Sequence, residues 1–459
     1  MTLEPRQPRP WGRARSLPSS LATFWGAVLL VAWVGVGCTD AVPTLDDGDS
    51  IPVGARTVEV IVPFSEFVES LDVFAGFGSR SDAPALHVAL DYEGDFQARS
   101  LVRFGVLPRT IQVFPPGETQ SVGDSAYVPV GGRLVVTMDT TRFAPDEPVE
   151  LEAGAVLSEW DVVTAGWEAA VDTLGGVRLW DEPGGGPVRG LGRAAWNPQE
   201  ADTVVFAVDS VTATAWATEL NPALRAARVS SATPGALMEM RTARFVADVR
   251  SSVNPDTVVS ISAGATGSTF IYSPEPGVSP TEIRIGGAPA RRAFLRFDLP
   301  TRLETDSDAC QGLGELCPLD ITPERVIYAG LVLTGKGSEP AAFTPRDTLR
   351  LDARPALAEA RVPRSPLGSA IPAQPRPLLP DVFRDGRRLE LPITAYVESL
   401  LAQQLGTREE EAGEVPRTVA LLSPFEPTGF TFASFVGPGQ EGEPFLRLIL
   451  TISEGELLP

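Results

Sequence analysis

The sequence predicts an all-β protein: two tandem β-sandwich-like modules with few short helices. Three observations predict it. Short runs of strict apolar–polar alternation, rich in β-branched residues and bounded by Gly, Pro or Asp, recur at residues 57–62, 133–138 and 445–452, the pattern of strands with one face on a core. The 459 residues include 43 Gly and 43 Pro, enough to break the chain into many short elements. Four landmarks also recur in the same order in the two halves, which argues for two copies of one unit.

The chain begins with Arg6, Arg9, Arg13 and Arg15, followed by an uncharged run from Leu21 to Gly37. Basic residues before an apolar run are the layout of an export signal. The run stops at Cys38, with Val36 and Gly37 before it and Thr39-Asp40 after it, and this junction resembles a bacterial lipobox, with Gly35 where Leu is usual. The resemblance implies removal of residues 1–37, acylation of Cys38 and membrane attachment through that lipid. Thr39, in place of an acidic residue, implies delivery to the outer membrane. The alternative is an uncleaved anchor, since a run of about 17 apolar residues is at the short limit for a bilayer span. Either way the bulk of the chain lies outside the cytoplasm. Residues 38–55, with Asp46-Asp47-Gly48-Asp49, read as a flexible acidic tether.

The formal net charge is −21. Loss of residues 1–37, with four Arg and one Glu, makes the remainder three units more acidic. Nucleic acid is excluded as a partner because backbone binding needs clustered cations, and here they are scattered among more numerous carboxylates. With Cys38 consumed by lipid, Cys310 and Cys317 remain, separated by Gln-Gly-Leu-Gly-Glu-Leu. A local disulfide is expected in an oxidising compartment, in preference to free thiols or a metal site.

The repeated landmarks are Leu101-Val-Arg-Phe-Gly-Val-Leu-Pro108 with Phe294-Leu-Arg-Phe-Asp-Leu-Pro300, Arg133-Leu-Val-Val-Thr137 with Gly330-Leu-Val-Leu-Thr334, Val211-Thr-Ala213 with Ile393-Thr-Ala395, and Ala236-Leu-Met-Glu-Met240 with Phe445-Leu-Arg-Leu-Ile449. They place module 1 at residues 56–260 and module 2 at 265–455. The clearest helix spans residues 393–405, where Val397, Leu400, Leu401 and Leu405 form one stripe. Phe294 to Pro300 with Arg325-Val-Ile-Tyr-Ala-Gly-Leu-Val-Leu333, and the Trp-rich segment from Trp160 to Trp180, resemble the DNRLRE-type module of secreted bacterial and archaeal proteins. The resemblance implies a jelly-roll-like β-sandwich related to carbohydrate-binding modules. Gly105 replaces the Asp of that pattern in copy one, and copy two has a Pro-rich stretch in place of the tryptophans.

The chemistry is sparse. One histidine, His87, excludes multi-His zinc sites, and its alternating apolar neighbours make it a structural residue. No nucleophile elbow is present, Gly330 to Lys336 is a strand rather than a phosphate loop, and no cofactor is expected apart from a possible structural Ca²⁺ at Asp91, Glu93 and Asp95, or at Asp306 and Asp308. All five tryptophans after residue 38 fall between Trp160 and Trp216. Indoles stack on the apolar faces of sugar rings, so Trp180, Trp167 and Trp196 are candidate ligand contacts; for any one of the tryptophans a place in the core is the favoured reading, with Trp180, beside Gly184 to Gly186, the most exposed of the set. The expected function is a non-catalytic surface lipoprotein that binds polysaccharide or envelope material. The alternatives are a structural part of an envelope protein complex and a carboxylate-dependent polysaccharide-degrading enzyme.

Overall fold

The computed structural model describes residues 55–277, 282–311, 313–409 and 413–453, so the expected signal, Cys38 and the tether up to residue 54 lie outside the described residues. The alternating segments do form strands, and the all-β expectation holds: two curled antiparallel sheets make sandwiches, with few short helices. One sheet runs Val188–Trp196, Val149–Val156, Ala226–Ser231, Phe96–Phe104, Val258–Ser273, Leu237–Arg250, Val128–Met138 and Thr203–Val208, with Leu86–Tyr92 bridging two of these. The other runs Ala55–Pro63, Phe445–Ser453, Val326–Lys336, Phe432–Val436, Glu282–Gly287, Ala290–Phe297, Thr418–Leu422, Leu349–Pro355 and Arg376–Leu378, with Val68–Phe77 and Arg388–Pro392 at its sides. Each wraps its own apolar core, one around Leu134, Phe206 and Phe245 and one around Leu295, Leu331 and Leu448. Thr203–Val208 shows why: it buries Val204, Phe206 and Val208 and exposes the residues between them, as a one-faced strand must.

The landmarks fall on equivalent elements. In the first half Val128–Met138 lies between Leu237–Arg250 and Thr203–Val208, and the helix Ser210–Thr218 packs on it. In the second, Val326–Lys336 lies between Phe445–Ser453 and Arg388–Pro392, with the helix Thr394–Gln404 packed on it. The strands of the first landmark pair correspond too, Phe96–Phe104 beside Ala226–Ser231 and Ala290–Phe297 beside Thr418–Leu422.

The expected module limits need correction at their leading ends. Ala55–Pro63 and Val68–Phe77, assigned to module 1, join the second sheet: Leu71 lies opposite Leu295, and Glu59 accepts a hydrogen bond from Arg447 at 2.7 Å. Val258–Ser273, which spans the expected boundary, joins the first sheet, with Thr269 opposite Leu101 and Ser262 opposite Val246. The turn after Leu237–Arg250 is short, so a local hairpin with Val258–Ser273 closes at little entropic cost and takes that sheet position. The equivalent place in the second sheet is filled by residues 55–77.

The two cores meet through aromatic side chains. Phe343 and Phe430 of the second half pack on Phe96 at 5.3 and 4.7 Å between ring centroids, and Phe343 packs on Tyr272 at 5.5 Å. From Arg56 onward the described residues belong to one compact unit. Cys310 and Cys317 are joined by a disulfide, as expected. No helix among the described residues is long and apolar enough to cross a membrane.

Candidate functional site

The tryptophans divide sharply. Trp160, Trp180, Trp196 and Trp216 are 3, 5, 1 and 4% exposed, and among the described tryptophans only Trp167 is half-buried. Trp180, expected to be the most exposed of the set, is instead covered by the glycine run beside it. Gly184, Gly185 and Gly186 all have positive φ, which lets this segment fold down until a Cβ on Gly186 would lie 3.1 Å from the Trp180 ring. Arg99 and Arg228 fasten the run by donating to the carbonyl oxygens of Gly184 at 2.8 Å and Gly186 at 2.7 Å respectively. The indole N–H of Trp180 is spent on the Gly166 carbonyl at 2.9 Å. Trp196 likewise donates to the Ala201 carbonyl at 2.8 Å, within the first core. Neither is available to a ligand.

Trp167 lines a cleft of about 670 Å³. Its walls come from the segment around Gly78 to Arg80, the loop from Val163 to Ala169, and Tyr272 to Glu275. Arg80 organises this cleft: its guanidinium lies 4.8 Å over the Tyr272 ring, donates to the Ala165 carbonyl at 3.3 Å and pairs with Glu275. Ser79 closes the base by donating to the Val163 carbonyl at 2.7 Å. Arg99 covers one face of the Trp167 indole at 4.8 Å, leaving the rest of the ring toward the cleft, where Glu168, Thr164 and Asp172 supply polar groups. An aromatic surface with convergent polar side chains is the chemistry that holds a sugar. Arg80 and Tyr272 were missed in the sequence, since they lie 87 and 105 residues from Trp167 along the chain and only strand pairing brings them together.

Of the residues named for calcium, Asp91, Glu93 and Asp95 are exposed on the turn into Phe96–Phe104, and Glu93 is occupied by an ion pair with Arg346. Asp91 accepts from Gln97 at 3.5 Å, and Asp308 accepts from Gln311 at 2.6 Å. Among the described residues no three His, Cys, Asp or Glu side chains gather so as to hold a metal ion.

His87 stands edge-on to Phe270 and Phe430, 4.8 Å from each, and is 3% exposed. Burial lowers its pKa to about 3, so the imidazole is neutral. It also borders a second, smaller pocket between the two halves, which sequence reasoning did not find. No protein-family model matches the chain, and no match is found among curated proteins.

Proposed function

We propose that this protein is an exported, lipid-anchored surface protein that binds polysaccharide or other envelope material without catalysis, and that the Trp167 cleft is where it does so. The observation that carries this reading is that, of the tryptophans in the described part, the single half-buried one lines the 670 Å³ cleft with Tyr272 and an array of polar side chains. The signal-like N-terminus and the resemblance to DNRLRE-type modules support the cell-surface setting. A neutral, buried His87 is a poor acid or base, which supports the non-catalytic part.

The test is a glycan-array and polysaccharide screen on residues 39–459 with Trp emission as the readout. Saturable binding that falls at least about tenfold in Trp167→Ala and is unchanged in Glu93→Gln is expected. An absence of binding across diverse glycans would overturn the reading. It would favour the assembly alternative, for which one surface speaks: the hairpin of Ala169–Thr173 and Gly176–Leu179 exposes Leu174, Val177 and Leu179, a patch suited to protein contact.

A further inference from the structure

The pocket between the two halves has a volume of about 230 Å³ and takes its walls from both. Glu239, 5% exposed, sits directly opposite His87 in the pairing of Leu237–Arg250 with Leu86–Tyr92. Among the described residues its carboxyl makes no hydrogen bond or ion pair. Burial pushes its pKa up to about 7, an effect opposed by Arg142 and reinforced by Asp139 and Asp347. Both ring nitrogens of His87 are unpartnered, as are the hydroxyls of Ser423 and Thr428. Gly429 brings its backbone up to the imidazole, where a Cβ would lie 3.4 Å from Nε2. Folded proteins leave few buried polar groups unpaired, and here several converge on one small pocket.

The chemistry of these groups selects the ligand. A carboxyl near its midpoint, a neutral imidazole and two hydroxyls can each donate and accept a hydrogen bond. Arg142 and Asp347 at the rim already face each other at 3.7 Å, and Arg350, the other cation in the wall, lies over the Phe425 ring at 5.9 Å, so a charged ligand would be desolvated against counter-charges that are already engaged. Hydroxyl groups donate and accept together and carry no charge. Phe143 and Phe430 offer apolar surface for the face of a ring. The volume is below the ~300 Å³ at which pockets for drug-sized ligands begin, which limits the occupant to one ring. We propose that this pocket binds a single neutral, polyhydroxylated ring, a pyranose-sized sugar unit, held by Glu239, His87, Ser423 and Thr428. It shares no wall with the Trp167 cleft, and the inference does not rest on that cleft binding anything.

Because His87 is the chain's one histidine, isotope-labelled histidine gives one imidazole signal to follow by NMR. Residues 39–459 would be titrated with glucose, galactose, rhamnose and inositol, and in parallel with acetate and glucosamine as charged probes. The expected result is a saturable shift with at least one neutral ring. Affinity should weaken about tenfold in Ser423→Ala and, separately, in Thr428→Val, each with unchanged circular dichroism. Trp167→Ala should leave the shift intact, which separates this site from the cleft. A flat response to every neutral ring, or saturation by acetate or glucosamine alone, would overturn the proposal.

Discussion

Burying a neutral histidine among phenylalanines ties the stability of the fold to pH. An unfolded His87 regains its ordinary pKa near 6.5, whereas the folded one lies at about 3. The folded state therefore holds its full advantage above pH 6.5 and loses it as pH falls toward 3, by an amount on the order of 5 kcal/mol at most. His87→Phe, which suits the surrounding rings, should flatten the dependence of the urea midpoint on pH across that window. Glu239 works in the opposite sense. Its pKa is raised from 4.5 to about 7, so its contribution is full below pH 4.5 and is lost as pH rises to 7. Glu239→Gln should therefore gain stability relative to the parent at pH 7 and little at pH 4, as read by the same urea midpoints. At this scale the structural role of His87 was legible from its apolar neighbours in sequence. That Trp167 rather than Trp180 is the more open of the two was not, because the cover over Trp180 depends on Arg99 and Arg228 reaching the glycine run from strands far away in the chain.

Strands announce themselves by alternation, and helices less so when they are short. The helix Thr394–Gln404 buries Val397, Leu400 and Leu401 as its spacing foretold, while Leu405 falls just past its end and is 40% exposed. The helix Ser210–Thr218 escaped notice because its Thr-rich run lacks a clear apolar stripe. Its signal was the residue in front: the Asp209 carboxylate accepts from the Thr212 N–H at 2.6 Å, the usual way a helix start is capped. Between the helical turns Asp308–Cys310 and Gly314–Leu316, the disulfide closes a loop of a few residues. Restricting so short a loop in the unfolded chain is worth about 2 kcal/mol, so the double change of Cys310 and Cys317 to Ala should lower the unfolding free energy by that amount, measured against the oxidised parent. Dithiothreitol should have the same effect on the parent and none on the variant.

The all-β character was legible in the sequence and the exchange of leading strands was not, because which sheet a strand enters is decided by competition between partners rather than by its own pattern. The exchange has an energetic result. Residues 282–453 without 55–77 would expose the unpaired sides of Ala290–Phe297 and Phe445–Ser453, and residues 86–273 alone would lose Phe343 and Phe430 from their core. Neither half should fold alone, and calorimetry of residues 39–459 should show one transition, with its van't Hoff and calorimetric enthalpies equal. Two separated transitions would contradict this. Residues 282–453 should become soluble when 55–77 is supplied on a separate chain.

Tension applied at residue 55 reaches Ala55–Pro63 first, and that strand is bound to the last described strand, Phe445–Ser453, rather than to anything that follows it closely. Next in line, Val68–Phe77 is clasped along its length by Ala290–Phe297. A pull on residue 55 is thus borne by residues 445–453.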